Sequence, residues 1–600
     1  MLHNERSGQA KVLDNFAMRG IKQSVVDMYN QKAHFIYELL QNADDAKATR
    51  ATFELYPDKL VFRHNGKERF TISEEREDIH PYGHINAITA IGFSGKQDDE
   101  GNKIGKFGIG FKAIYQYSST PEIYDDTFCF KIEKFVIPTQ LRHDYTTRQR
   151  GETIFVFPFD NPKHAFNDVK EKIQGLNNPI LFLRNLKTIS IEINGKKSSD
   201  YSKRVKYTST IDDIEHQLID IINHGETSTL HLFTRSITVN GESKDNYFIS
   251  VGYYLTKEGQ LDIKRRPNVF CFFPTSEKFG DICCICHGPF ELVNSRQQLK
   301  ATDFNKQIKN LLAVLAADAL SILRDYYIDR GKKIFNKNII EMIPPSSGWY
   351  DSRSDEEFRE KFIEKIQEEP LLLNMNREYS LPEDLMIAED STLQNLISDE
   401  QLNQLWECRS DDEEDEDEED NIENCVFIHE SLRDMQDNEE ILTDILEIGM
   451  FSASSFLNAI TPKFMELQSY DWVKRLYNYL HRNAHETWQI ETDKNHYNYA
   501  ACSSPIVKTS ANEWISAYNR RGELNVFMPI QHGNKEDIYN FVNEAYLKED
   551  ITRNFLRALG ISVPDSWSYI VSVIFTKCRE ENCSSEDFIN YFEFIYTMVR

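Results

Sequence analysis

The chain has no long apolar run. Nowhere do about 18 apolar residues follow one another, the length a helix needs to cross a bilayer. Met1 to Ala10 is polar and lacks the apolar stretch of a secretory leader. A soluble, cytoplasmic protein with no membrane partner is expected. Cysteine is sparse, 10 in 600 residues without even spacing, which excludes a secreted disulfide framework and points to reduced, mostly buried thiols. Positive charge is also short. Against 96 Asp and Glu there are 69 Lys and Arg, a net charge of −27, which argues against a surface that broadly embraces nucleic-acid phosphates. Ten of the acids fill Asp411 to Asp420, leaving −17 outside that run. Lys264-Arg265-Arg266 is a local basic exception. Two common phosphate motifs are absent as well. The glycines near 105–110 lack the Gly-Lys-Ser/Thr ending of a P-loop, and they lack the preceding strand and downstream acid of a dinucleotide fold.

With 40% apolar and 12% aromatic residues, the chain can bury sizeable cores, and its length suggests about three to five domains. Residues 11 to 33 read as helical without a sharp stripe. From Lys32 to Lys47 the helix is clearer: Leu39, Ala43 and Ala46 share one face, and Glu38, Asn42 and Asp45 repeat that spacing one residue earlier. This polar row is either a solvated face or a functional one. Ala51 to Tyr56 and Lys59 to His64 read as two strands joined through Pro57-Asp58. The second runs into His64-Asn65-Gly66, a turn whose glycine lets the backbone come close to something. Phe70 to Ser73 follows, then the acidic start of a further helix at Glu74.

The strongest signal lies between Ala87 and Lys112. Ile91-Gly92-Phe93-Ser94-Gly95-Lys96 precedes a polar stretch without periodicity, then Gly105-Lys106-Phe107-Gly108-Ile109-Gly110-Phe111-Lys112 opens a helix. Glycines before a helix start leave backbone N–H groups free to face an anion, and the helix dipole adds to the attraction.

In order and spacing, Glu38…Asn42…Asp45, His64-Asn65-Gly66, Gly105 to Lys112 and Glu152-Thr153-Ile-Phe-Val-Phe-Pro158 resemble the ATP site of the GHKL superfamily, which includes gyrase, the ninety-kilodalton heat-shock chaperone, histidine kinases and MutL. Glu-Leu-Leu-Gln-Asn-Ala-Asp-Asp-Ala is most similar to the sacsin-like branch. The resemblance covers about the first 165 residues. It implies a Bergerat-fold ATPase domain with a mixed sheet layered on helices, and ATP and Mg²⁺ as ligands.

The resemblance also implies roles. Glu38 would be the general base orienting the attacking water. Asn42 would ligate Mg²⁺ through its amide oxygen. Asp45 would line the nucleotide pocket with His64, Asn65 and Gly66. The loop Gly105 to Lys112, including Lys106, Phe107, Gly108, Ile109, Gly110 and Phe111, would close around the phosphates, and residues 92 to 104, with Ser94 and Lys96, would form a lid. Thr153 matches a threonine that reaches the base through water, although the glycine usually beside it stands at Gly151. At His64 the family pattern is Asp-x-Gly, whose aspartate accepts from the adenine amino group. An imidazole or amide accepts there only in one tautomer or orientation, which leaves base selectivity open. Arg296, within Gly288-Pro-Phe-Glu-Leu-Val-Asn-Ser-Arg296, resembles a chaperone arginine that reaches the γ-phosphate. It is equally readable as a surface ion-pair residue.

Beyond Pro158 an α/β transducer-like middle domain is expected over 166–335. It has a strand closed by Asn194-Gly195, strands at Ser228 to Phe233, Tyr247 to Leu255 and Val269 to Phe273, and helices near Ile211 to Asn223 and Asn305 to Tyr327. Adjacent cysteines of a strand point to opposite faces, so Cys283, Cys284 and Cys286 beside His287 read as buried thiols rather than a zinc site. A helical and linker region, 336–468, holds the acidic run, a solvated linker or a docking tail for a basic partner. A mostly helical region, 469–600, ends in an apolar helix, as a fragment or an end packed on a partner would. The whole reads as α+β. The functional expectation is an ATP-hydrolysing conformational switch that dimerises through nucleotide-closed N-terminal domains. It would act as a chaperone-like remodeller or regulate the effector of a bacterial antiviral system. Alternatives are a nucleotide-sensing interaction protein and a MutL- or topoisomerase-like DNA-processing ATPase.

Overall fold

The computed structural model describes residues 2–13, 34–74, 83–90, 110–239, 242–293, 297–346, 355–410, 425–433, 440–489, 495–529, 539–564 and 584–599. The expected lid, with Ser94 and Lys96, lies outside the described residues, as do Gly105, Lys106, Phe107, Gly108, Ile109, Arg296 and the acidic run. The chain divides into two compact units, Met1–Leu371 and Leu372–Arg600. Among the described residues no helix is long and apolar enough to cross a membrane.

The first unit is built on one sheet. Alternating burial in β1 (Arg50–Tyr56), with Ala51, Phe53 and Leu55 inward, gives a half-buried strand. Pro57-Asp58 turns it antiparallel onto β2 (Lys59–His64), and β2 pairs with β6 (Thr153–Pro158). Beyond β6 lie β3 (Glu122–Tyr124), β4 (Cys129–Glu133) and β5 (Ile137–Gln140). On its other edge β1 pairs in parallel with β7 (Thr188–Ile193), and this joint carries the sheet onward into β8 (Lys196–Ile211), β9 (Ile214–Asn223), β10 (Glu226–Val239) and β11 (Glu242–Tyr254). Three short strands, β12 (Phe270–Cys271), β13 (Phe273–Pro274) and β14 (Ile285–His287), complete 14 strands.

The stretch 166–335, expected as an α/β domain, is dominated by strands, with the helix expected near Asn305 to Tyr327 present as Asp303–Ile328. It is mostly an antiparallel meander added to the N-terminal sheet. The helix expected near Ile211 to Asn223 is strand β9. Ile214 and His216 alternate inward, and tight turns bound the strand: Asp212 (φ 53°) before it, His224 (φ 51°) and Gly225 (φ 83°) after it. The expected Asn194-Gly195 turn is present with both φ positive, 52° and 73°, the geometry whose twist suits a two-residue hairpin.

Helices cover the sheet. α1 is Leu2–Leu13, α2 His34–Asp45, α3 His84–Thr89, α4 Pro162–Gln174 and α5 Asp303–Ile328. Phe35, Ile36, Leu39, Leu40 and Ala43 of α2 pack with Phe53, Phe62, Phe155 and Phe157 of the sheet in one core. α5 lies against the meander, where Tyr253 Oη donates to the Ala316 carbonyl at 2.8 Å. Cys283, Cys284 and Cys286 are buried, and burial pushes the Cys283 and Cys284 thiols up.

The second unit joins helices to small sheets, including three parallel strands ordered Val426–Phe427, Leu385–Ala388 and Gly449–Phe451. Helix Tyr470–Asn483 buries Trp472, Leu476, Tyr477 and Leu480. Gly560, at φ 87°, follows the end of helix Asp550–Ala558, where a left-handed residue suits glycine.

Candidate nucleotide site

The site is built where α2 crosses the ends of β2 and β6. Two adjacent apolar rows, Phe35-Leu39-Ala43 and Ile36-Leu40, fix the helix on the sheet. Glu38 sits beside them, 8% exposed, and Asn42 and Asp45 are half-buried. The polar row is thus not a solvated face. The 3₁₀-helix Gly110–Gln116 that ends the glycine loop runs into Tyr117, whose ring lies 5.4 Å from that of Phe35. Phe111 is buried in the same core. The loop therefore rejoins the fold near the Glu38 end of the helix.

The opposite end of α2 meets the His64 turn. The Lys67 and Glu68 N–H groups donate to the Ala46 carbonyl, at 2.7 and 3.3 Å. Gly66 is required here by close approach. A Cβ on it would lie 2.8 Å from both Ala46 Cβ and His64 Nδ1. Glu38 and Asp45 are seven residues apart, a rise of about 10 Å, so the polar groups near the loop and those near His64 occupy separate ends of the helix.

His64 is 5% exposed, with the rings of Phe62 and Phe155 centred 5.9 and 6.1 Å away. Burial, then the nearby Arg69 charge, pushes its pKa down to about 3, so the ring is neutral. Its Nδ1 accepts the Gly66 N–H at 3.1 Å. A backbone N–H only donates, so the ring proton stands on Nε2. Directly opposite in the β2–β6 ladder is Thr153, 2% exposed, whose Oγ1 has no hydrogen-bond partner among the described residues. A hydroxyl buried without a partner costs about 1–3 kcal/mol, and such a group calls for a ligand or an ordered water.

Two expected site residues have other partners. Asn65 Oδ1 accepts the Thr49 and Arg50 N–H groups, both at 2.9 Å, and Nδ2 donates to Thr49 Oγ1 at 2.9 Å. It clamps the start of β1. Lys112, 1% exposed, donates from Nζ to the Ile88 and Phe135 carbonyls at 2.8 and 2.9 Å. Burial and the Arg6 charge push its pKa down to about 7. Arg6 itself donates to the Asn86 carbonyl at 3.2 Å, so both cations hold α3.

Sequence reasoning passed over Asp44. It is 1% exposed and its carboxylate accepts the N–H groups of Asn185 (2.7 Å), Leu186 (2.8 Å) and Arg184 (3.1 Å). Burial raises its pKa, and these three bonds oppose that rise. This pins the end of α2 to the entry of β7. The signal was present: Asp44 continues the Ile36-Leu40 row, and a carboxylate on a core row needs built-in partners.

α2 thus carries oxygen atoms of the kind a hard cation takes, and an orphaned hydroxyl stands at the facing end of β6 among the described residues. Residues 18–133 match the family model of the sacsin domain. That stretch contains Glu38, Asn42, Asp45, the His64 turn and the glycine loop, and stops short of Thr153. Protein NO VEIN of Arabidopsis thaliana is 35% identical over 154 residues, which are 25% of this chain and 5% of that protein. The chain therefore spans a small part of that relative's length. Among solved structures, the ATPase region of Saccharomyces cerevisiae topoisomerase II aligns over 40% of this chain and 60% of that chain, with 15% identity and a TM-score of 0.24.

Proposed function

We propose that the chain binds and hydrolyses a nucleoside triphosphate with Mg²⁺, as the resemblance implies for ATP, and uses the cycle as a conformational switch. The observation that carries this reading is the orphaned Thr153 hydroxyl opposite His64, at one end of the helix whose other end presents Glu38. Glu38 takes the proton of the attacking water as the new P–O bond forms and the bond to the diphosphate breaks. Asn42 Oδ1 holds the magnesium ion, which when bound offsets phosphate charge. The loop Gly105 to Lys112 turns backbone N–H groups on the phosphates, Arg296 stabilises the charge that develops at the γ-phosphate, and nucleotide-closed N-terminal domains pair two copies. Chaperone-like remodelling and control of an antiviral effector are the outputs proposed for such a cycle.

Binding of ATP to the full chain, with and without Mg²⁺, tests the reading. Asn42→Ala should abolish the gain in affinity that Mg²⁺ brings. No binding of any nucleotide would remove the proposal. The DNA-processing reading predicts salt-sensitive retention of DNA, and a gel shift at low salt without retention would dismiss it.

A further inference from the structure

We propose that the second unit carries a groove for a short, extended acidic peptide of a partner protein, in a cavity that no step of the nucleotide reading uses.

Charge is unevenly placed along the chain. Residues 372–600 hold 44 Asp and Glu against 18 Lys and Arg. Within this acidic unit three cations line one cavity of about 750 Å³, a volume in the range of ligand sites. One wall is helix Asp550–Ala558 with the turn before it, which presents Lys548, Arg553 and Arg557. Phe555 and Leu556 of the same helix are buried and fix it in place. The other wall is made of two non-helical segments, joined where the Met528 N–H donates to the Ser562 carbonyl at 3.0 Å, and it presents Met528, Ile561 and Val563. Val563 is 58% exposed.

The fold does not consume these cations. Arg553 is steered by Asp550, which pairs with Nη2, and by the Leu547 carbonyl, to which Nη1 donates at 3.2 Å. Lys548 and Arg557 are exposed and have no ion-pair or hydrogen-bond partner among the described residues. Glu544 is the one acid lining the cavity among the described residues, which leaves two positive charges in excess. Like charges gathered without counter-ions repel, so the set favours an anion.

Spacing decides which kind of anion fits. Arg553 and Arg557 are four residues apart on a helix, a rise of about 6 Å. Alternate residues of an extended peptide are about 6.7 Å apart and point to the same side. Acids at alternate positions therefore meet successive arginines, and the residues between them turn to the Met528, Ile561 and Val563 wall. Nucleic acid fits less well. Single strands are held by stacking on aromatic rings, and no aromatic residue lines this cavity among the described residues.

The test is fluorescence anisotropy of the full chain with a labelled octapeptide that alternates glutamate and leucine. The same peptide with glutamine for glutamate, and an oligothymidylate of equal charge, serve as the other arms. The glutamate peptide should bind about tenfold or more tighter than either, with an affinity that falls as salt rises. The Lys548→Gln, Arg557→Gln double variant changes exposed side chains, so it should keep its unfolding temperature and lose about tenfold or more in affinity for that peptide. Val563→Ser should weaken binding by about threefold and leave the salt dependence unchanged. Equal binding of the glutamate and glutamine peptides, no binding of either, or undiminished binding in the double variant would overturn the proposal. Tighter binding of the oligonucleotide, lost in the double variant, would overturn it in favour of nucleic acid. A gain of about tenfold in peptide affinity on deleting Asp411 to Asp420 would overturn the partner assignment in favour of the chain's own acids.

Discussion

His64 and Thr153 face each other across the β2–β6 ladder, one with its Nδ1 occupied by Gly66, the other with a buried hydroxyl that has no hydrogen-bond partner among the described residues. Each strand by itself is ordinary. Together they place a neutral imidazole and a hydroxyl unpartnered among the described residues on the helix-covered face of a sheet, beside the C-terminal end of α2. A core position would normally hold apolar side chains there.

Gly66 is the contact that brings this pair up to α2. Gly66→Ala sets a methyl against Ala46 and His64 at 2.8 Å, so about 1–3 kcal/mol of stability should be lost and nucleotide affinity with it. Thermal unfolding and nucleotide titration of the variant check both. Unchanged values would show that the turn can move away from the helix at little cost.

Asp44→Ala should be among the most damaging single changes in the first unit. It strands three backbone N–H groups at 184–186, and a loss of about 3 kcal/mol or more is expected. Urea unfolding followed by a probe in the first unit measures it. A loss under about 0.5 kcal/mol, typical of surface substitutions, would contradict the anchoring role.

Lys112→Met separates a structural role from a phosphate role. Removing Nζ leaves the Ile88 and Phe135 carbonyls short of a donor, so the unfolding temperature should fall, corresponding to about 1–3 kcal/mol. A lysine that serves phosphate alone would lower nucleotide affinity and leave the unfolding temperature unchanged.

Stability should fall in mild acid. His216 Nε2 and His231 Nδ1 are 2.9 Å apart, and His231 Nε2 meets Tyr327 Oη at 3.1 Å, with Tyr207, Tyr326 and Arg330 packed around them. Burial pushes His216 down to about 4 and His231 down to about 3. The unfolded imidazoles take up protons near pH 6.5 while the folded ones stay neutral. Their contribution is therefore complete above about pH 6.5 and is lost as pH falls toward 4, by about 2 kcal/mol per ring at pH 5. Unfolding midpoints measured from pH 7.5 down to 5 should drop, and more shallowly in the His216→Gln, His231→Gln double variant. Parallel curves would exclude these rings as the cause.

Much of this was legible from local chemistry. Pro57 favours its turn through its fixed φ, Asn194-Gly195 takes the positive φ that few residues tolerate, and the α2 rows follow from helical period. The β9 strand was not legible. Ile211, Ile214 and Leu218 stand at helical spacing, and only pairing with β8 and β10, through turns that place Asp212 and His224 at positive φ, resolves the segment as a strand. In the site, residue type marked Glu38, Asn42, His64 and Thr153 as polar groups of interest. It could not reveal that Asn65 and Lys112 bond to backbone, because those partners, Thr49, Arg50, Ile88 and Phe135, are brought in by the fold.

The most direct measurement is phosphate release by the full chain with Mg²⁺, comparing wild type with Glu38→Ala at matched nucleotide occupancy. The account predicts turnover in the wild type and its loss in the variant while binding persists. Absence of turnover in the wild type with any purine nucleotide, or undiminished turnover in Glu38→Ala, would contradict it.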